Sequence, residues 1–278
     1  MSAPAAPRPF AKLKLEPAYR KVAAALTESI TSGALRVGER LPSETELGLR
    51  MGVHRSTVRE ALRELESAGL LRRERGSKLM MVSRPDRDTV ASGVTRALTL
   101  HEATVAEVWE ALTVIEPMVA EFAARRRDPK SLAALAAVVE SAAPGGAMQE
   151  GAADLAAAQA AEFFRALAAV AGNRVLSMSH EPLLQLMASS LHKLVAVVPQ
   201  ARSRIAAAQR RILEAVERGD AASAREWCGK HVRDYRRGFE VAGIDLALPI
   251  SSGSARPSGR RRAPTAAVPR ASRRSHRP

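Results

Sequence analysis

The stretch LPSETELGLRMGVHRSTVREALRELESAGLL, residues 41–71, constrains this chain more than any other. Pro42 and Ser43 form a helix-start signal, and Ser43 with Glu46 fits the S-x-x-E capping box, in which each side chain satisfies a backbone N–H of the other residue. Gly52 marks a tight turn. Beyond it, Val58, Ala61, Leu62 and Leu65 recur at the spacing that lines one face of a second helix, while Arg55, Arg59 and Arg63 fall together on another. A capped helix, a glycine turn and an amphipathic helix with a row of arginines have the shape of a helix-turn-helix whose second helix can enter the major groove of DNA.

The neighbouring residues complete a small domain. From Ala18 to Ser32, Val22, Leu26 and Ile30 make the packing stripe of a preceding helix that Gly33 stops. Gly38 to Pro42 is a connector, and the last helix runs from about His54 to Ser67, closed by Gly69. The segment RRERGSKLMMV then offers two short strands around Gly76, a wing.

Gly33, Leu35, Gly38, Leu41-Pro42-Ser43-Glu44, Leu47, the run from Val53 to Leu62, Leu65 and Gly69-Leu70 resemble the winged helix-turn-helix of the GntR family of bacterial transcriptional regulators over residues 18–82. The resemblance implies DNA contact through His54, Arg55, Ser56, Thr57 and Arg59, with Gly76 approaching the minor groove. Physical chemistry points to the same places, because a helix start presents unpaired N–H groups and a positive dipole end to phosphate. Arg55 is the first choice for a base reader, since a guanidinium can bond both acceptors on a guanine edge; Arg59 is the second. Thr45 stands where several relatives carry a DNA-contacting arginine, so the operator is expected to differ from theirs. Lys78, with Arg72, Arg73 and Arg75, is read as a phosphate contact of the wing, the alternative being a solvated hairpin edge. His54 is open between a DNA contact and a helix cap. Arg63 is open between DNA and a charge pair with Glu60 or Glu66.

A net charge of +14 over 278 residues is unevenly spread. Lys and Arg stand against Asp and Glu at 15 to 9 in residues 1–82, at 20 to 20 in 83–250, and at 8 to 0 in 251–278. A basic first domain is the footprint of phosphate binding, and a neutral middle argues against a polyanion coat on the whole molecule. The one cysteine, Cys228, forms no internal disulfide and has no catalytic partner set. The opening MSAPAAPRPF lacks a signal pattern, and no apolar run approaches the roughly 18 residues of a membrane span, which predicts a cytoplasmic, nucleoid-associated protein with no membrane partner.

The expected layout is a disordered arm at 1–12, whose Arg8 and Lys12, with Lys14 just beyond, can brush the DNA backbone; the DNA-binding domain at 13–83; a linker at 84–90; a helical domain at 91–249; and a disordered basic tail at 250–278. The tail is read as a nonspecific DNA tether, the alternative being a solubilising segment. Helices are expected at roughly 89–99, 104–127, 129–142, 149–171, 173–197, 199–218 and 220–242, broken at Asp128-Pro129, Pro144-Gly145-Gly146, Gly172-Asn173, Pro199 and Gly219-Asp220. The fold class is mainly α: a winged helix-turn-helix with a small β-hairpin, followed by an all-α bundle.

The segments EVWEALTVIEPMVAEFAARR, FFRALAAVAGNRVL and RRILEAVERGDAASAREWCGKHV make that bundle similar to the FCD domain of the FadR-type branch of the family. Many FCD domains hold a divalent metal through an Asp and a His four apart and two further His. The corresponding positions here are Ala160, Phe164, Gln209 and His231, and Leu112 stands where relatives often carry an arginine. Alanine and phenylalanine offer no donor atom, so no metal and no cofactor is expected, and the pocket has lost charge. An apolar pocket favours a hydrophobic, lipid-like effector such as a fatty acyl compound. The alternative is that Phe164 and Leu112 pack a core that only dimerises. His101, His180 and His192 are expected to be ordinary helix residues.

The leading reading is a sequence-specific regulator, a repressor released by its effector, binding an inverted-repeat operator as a homodimer because one short helix reads too few bases. The alternative is a ligand-independent or architectural DNA-binding protein. No nucleophile elbow, phosphate loop, metal cluster or paired carboxylate follows residue 85, so the chain is read as no enzyme.

Overall fold

The structure is a computed structural model that describes residues 16–74, 79–142, 152–198 and 200–250. In order the elements are α1 (Ala18–Thr31), α2 (Glu44–Met51), α3 (Arg55–Ser67), β1 (Leu71–Arg73), β2 (Met80–Val82), α4 (Arg87–Leu100), α5 (Val105–Arg126), α6 (Pro129–Ser141), α7 (Ala152–Ala171), α8 (Arg174–Val197), α9 (Ala201–Arg218) and α10 (Ala221–Val241). The fold is mainly helical with one small antiparallel sheet, as the sequence predicts. The arm, the wing tip with Arg75, Gly76 and Lys78, the turn around Gly145 and the tail from residue 251 lie outside the described residues.

Buried apolar side chains form two separate clusters, one within residues 22–82 and a larger one within 105–250. In the first, Val22, Ala23 and Leu26 of α1 join Val58, Leu62 and Leu65 of α3. Ser43 Oγ accepts from the Glu46 N–H at 3.2 Å, but the reciprocal arm is missing, because the Glu46 carboxylate pairs with Arg50 one turn on. The predicted capping box is therefore half formed. A complete one starts α5: Thr104 Oγ1 accepts from the Glu107 N–H at 3.2 Å, and Glu107 Oε2 accepts from the Thr104 N–H at 2.7 Å. Gly52, at φ 64°, closes α2 where the turn was expected.

The wing strands pair in the register Leu71↔Val82, Arg72↔Met81 and Arg73↔Met80. The connector before α2 adds a third rung: the Gly38 N–H donates to Val82 O at 2.9 Å and the Leu41 N–H to Met80 O at 2.8 Å. Leu71, Met80 and Val82 are buried beneath it, so the root of the wing belongs to the core of the DNA-binding head.

Residues 84–90 are not all linker. Asp86 Oδ1 accepts from the Thr89 N–H at 2.7 Å and starts α4 at Arg87. The helix then docks on α8, where Gln185 Nε2 donates to Asp88 at 3.3 Å and Thr95 Oγ1 donates to Gln185 Oε1 at 3.2 Å.

In the second cluster α5 lies at the centre, packed along α10 and against α7, α8 and α9. Its neighbours begin where polar caps follow chain-reversing residues. Gly172 and Gly219, at φ 61° and 72°, precede the caps Asn173 and Asp220, and Asp128 with Pro129 starts α6. The buried phenylalanines Phe163, Phe164 and Phe239 and the aliphatics Leu135, Leu167 and Ile212 fill the space between alanine-rich faces.

Two glycines should answer the same substitution with opposite signs. A Cβ on Gly48, in α2, would sit 2.9 Å from the carbonyl oxygen of Val53, a backbone atom that cannot swing away. Gly48→Ala is expected to destabilise by about 1–3 kcal/mol through overpacking. Gly93, in α4, has nothing within 4 Å of its Cβ position, and Gly93→Ala is expected to stabilise by about 0.5–1 kcal/mol. Urea unfolding of the full chain checks both.

Candidate DNA-recognition face and effector site

Helix α3 opens with His54 as its N-cap: Nδ1 accepts from the Ser56 N–H at 3.3 Å and lies 2.8 Å from Ser56 Oγ. His54 is thus a cap, and an Nδ1 that accepts leaves the proton on Nε2, on an exposed ring. Arg55, Ser56 and Arg59 are exposed on the same end of α3, Thr57 is half-buried, and Thr45 is exposed on α2. Arg63 is exposed and makes neither expected pair among the described residues; Glu66 lies instead 3.5 Å from Arg73. At the wing, Arg40 pairs with Glu74 at 2.6 Å, while Gly76 and Lys78 fall outside the described residues.

The most informative residue of this face is one to which the sequence reading gave no role. Glu44, the first residue of α2, receives the Arg55 Nε–H at 2.9 Å on Oε2, and Arg59 Nη2 donates to the same oxygen at 3.0 Å. Arg59 Nε reaches both carboxylate oxygens, at 3.3 and 3.2 Å. The hydrogen bond from Arg59, joined by that from Arg55, holds the Glu44 carboxyl below the usual carboxylate range, and the Arg59 guanidinium is raised in turn. Two base-reading candidates therefore share one carboxylate, which sets their rotamers and removes one unit of positive charge from the face.

In the helical domain the five effector-site positions are all buried: Leu112, Ala160, Phe164, Gln209 and His231. Phe164 stacks on His231 with centroids 5.7 Å apart, and Tyr235 OH lies 3.0 Å from His231 Nε2. Both amide atoms of the Gln209 side chain are buried without a partner. These residues do not fit a metal ion. Two of the four ligand positions have no donor, and of the two that remain, His231 is stacked beneath a phenyl ring with Nε2 already engaged.

The expectation that His180 is an ordinary helix residue needs correction, because this interior holds a buried titratable pair. Glu116 on α5 and His180 on α8 are both fully buried, with Glu116 Oε1 2.8 Å from His180 Nδ1. His180 is thus no ordinary helix residue. Glu116 Oε2 and His180 Nε2 have no partner, and burial pushes the Glu116 carboxyl up despite the neighbouring imidazole. Glu116, Leu112 and Phe164 line a cavity of only about 20 Å³, room for a single water. Nothing in local spacing could have revealed the pair, since its members lie 64 residues apart.

A capped helix-turn-helix with a cationic helix end, a wing rooted in its core and an all-α bundle beyond defines a winged-helix DNA-binding protein with a helical C-terminal domain. The chain belongs to the GntR family: the family described as bacterial regulatory proteins, gntR family, matches residues 18–79, and the FCD domain matches 107–234. It is 31% identical to the HTH-type transcriptional repressor NanR of Salmonella newport over 180 residues, which is 64% of this chain and 66% of that protein. Over 60 residues, 22% of this chain and 25% of the other, it is 48% identical to the histidine utilization repressor of Klebsiella aerogenes. Among solved structures, a Streptococcus agalactiae GntR superposes with a TM-score of 0.54 at 25% identity, covering 79% of this chain and 99% of the other. The family and these relatives are regulators, not enzymes. No helix among the described residues is long and apolar enough to cross a membrane.

Two measurements test the geometry. Glu44→Gln should tighten binding to arbitrary duplex, since a repelling charge is gone, while, if Arg55 reads a base pair, the penalty for changing that pair falls by about 1 kcal/mol or more. Anisotropy titrations against singly substituted duplexes report both, and an unchanged penalty would confine Glu44 to charge neutralisation. For His231, burial lowers the imidazole from 6.5 to about 4, so between those values the unfolded chain binds a proton that the folded one refuses. Stability then falls as pH drops through that window. From pH 7 to 5 the loss should be about 2 kcal/mol larger than in His231→Gln, read from urea midpoints.

Proposed function

We propose that this protein is a sequence-specific transcriptional repressor that binds an inverted-repeat operator as a homodimer and is released by a hydrophobic small-molecule effector held in the helical domain without a metal. The arrangement of Arg55 and Arg59 at the exposed start of α3, oriented by one carboxylate, is the observation that carries the DNA-reading part. Arginines held in a fixed fork are suited to bidentate base contact, whereas a merely polyanion-seeking surface needs no such positioning. Ser56 and Thr57 lie beside them as short phosphate donors, and Thr45, Gly76 and Lys78 complete the contact set. One recognition helix per chain spans too few base pairs for genomic selectivity, which favours two copies on two half-sites.

Donor-free Ala160 and Phe164, with Leu112 in place of a charged residue, support an effector whose larger part is apolar. The architectural alternative draws on the charge of the termini, eight arginines against no acid in residues 251–278. The two readings part on sequence dependence. Selection from a random duplex pool should enrich an inverted repeat, and Arg55→Ala should lose about 1–3 kcal/mol of discrimination at one position in each half-site. Removing residues 251–278 should weaken all duplexes equally and flatten the salt dependence. Binding that tracks salt and ignores sequence would establish the architectural reading instead.

A further inference from the structure

The positions expected to form the effector pocket enclose almost no space, but one of them, His231, also lines a second cavity of about 200 Å³ between the end of α8, the start of α9 and α10. Leu194, Val198, Ile205 and Val241 give it an apolar wall. Its polar lining is His231, Tyr235, Gln200, Arg204 and Arg237, with Asp234 as the one acid.

Arg204 and Arg237 are exposed and form no ion pair among the described residues, so both guanidiniums are free to meet an anion. His231 is 2% exposed. Tyr235 OH has no other acceptor, and burial raises its phenol, so it stays protonated and donates to His231 Nε2. A neutral imidazole that accepts at Nε2 carries its proton on Nδ1, and that donor has no partner among the described residues. Gln200 and Ala201, the N-cap and first residue of α9, also line the cavity, and Gln200 supplies no side-chain cap, so the positive end of that helix lies at the cavity.

We propose that this cavity is the effector site of the protein and takes a small organic acid with an apolar body, its carboxylate between Arg204, Arg237 and the Nδ1–H of His231 and its hydrocarbon part against Leu194, Val198 and Ile205. Two guanidiniums, a neutral imidazole donor and a helix start select an anion, and Asp234 offsets one of the two positive charges so that a monoanion balances the site. A cavity of about 200 Å³ suits a medium-chain or aryl carboxylic acid better than a long acyl chain. The proposal rests on the reading of the helical domain as an effector sensor and replaces its lipid-like ligand with a shorter one.

The test is calorimetric titration of the full-length protein with hexanoate, octanoate and palmitate, and with 1-octanol as the uncharged control. Octanoate should bind at least 10-fold more tightly than 1-octanol, with palmitate no tighter than octanoate. Arg204→Gln with Arg237→Gln should erase the preference for the acid while leaving the melting temperature within a degree or two, because both side chains are exposed and unpaired. Val198→Trp, which fills the apolar end, should abolish binding of both. Equal binding of acid and alcohol, or octanoate binding unaffected by all three substitutions, overturns the proposal. Operator affinity measured with and without octanoate separates the two levels. Octanoate that binds here without moving DNA affinity upholds the site but defeats the effector reading. Another molecule that releases DNA equally well from the wild type and the doubly substituted protein defeats the site and leaves the regulator intact.

Discussion

Five rings in series decide what the helical domain can and cannot hold. Phe163 meets Phe164 at 5.4 Å, Phe164 stacks on His231 at 5.7 Å, His231 lies 4.7 Å from Tyr235, and Tyr235 stacks on Phe239 at 6.3 Å. Elsewhere the bundle sets large aliphatics such as Leu135, Leu167 and Ile212 beside small side chains: Ala120, Ala123, Ala160, Ala161 and Ala168 let α5 and α7 approach closely but contribute little apolar area each. Aromatic residues are only 3% of the chain, and four of them meet with the His231 imidazole in this one stack. The same stack fills the space where donors would converge on a metal, and it buries His231 against Phe164 and Tyr235 with no carboxylate bonded to the imidazole. A neutral, hydrogen-bonded imidazole follows from that environment. The ring stack thus closes one site, in its middle, and forms the polar wall of another, at its α10 end.

In the DNA-binding head the corresponding constraint is electrostatic. Arg55 and Arg59 lie one turn apart on α3 and would repel each other and sample many rotamers if left to solvent. Glu44 reaches them from α2 because the turn at Gly52 folds the two helices to the angle that brings residues 11 and 15 positions apart into contact. An acid on a DNA-facing surface costs phosphate attraction, and what it gives in return is a defined geometry for two long side chains. That exchange favours selectivity over affinity, which suits a protein that must find few sites among many.

Much of this was legible in the sequence because it is local. The half-turn signals Gly172-Asn173 and Gly219-Asp220 put a left-handed residue directly before an Asx cap, and the structure starts α8 and α10 there. Arg55 and Arg59 were placed on one helix end by spacing alone. Overlapping local signals are harder to separate: Asp86 sits in a charged run that resembles a linker yet is a cap, and Glu46 has Arg50 one turn ahead to compete with Ser43. The features that stayed hidden join distant segments. Glu116 with His180 and Glu44 with Arg59 each depend on how two helices cross, and no periodicity encodes that. His231 was identified by its family position, yet its importance for a cavity depends on Arg204 and Arg237, which look like ordinary surface arginines until the helices are assembled.

The two sites are joined by a continuous rigid element. Leu194 and Val198 at the end of α8 form the apolar wall of the cavity, and Gln185 two to three turns earlier on the same helix holds Asp88 and Thr95 of α4. Helix α4 begins at Asp86, and Ser83 just before it donates through its hydroxyl to Gly69 O at 2.8 Å and through its N–H to Leu70 O at 2.9 Å, immediately ahead of the wing strand β1. A ligand that displaces the end of α8 therefore acts on a helix whose other contacts lead, through four residues of connecting chain, to the root of the wing. Such continuity becomes coupling only if α8 has two arrangements that the ligand distinguishes. Gly238 shows where the second could lie: a Cβ there would stand 2.8 Å from Leu194 Cδ1, so α8 and α10 are in contact at the cavity mouth with no methyl between them. Helices packed through a glycine can slide against each other at low steric cost, and a carboxylic acid wedged beside that contact changes which position is favoured.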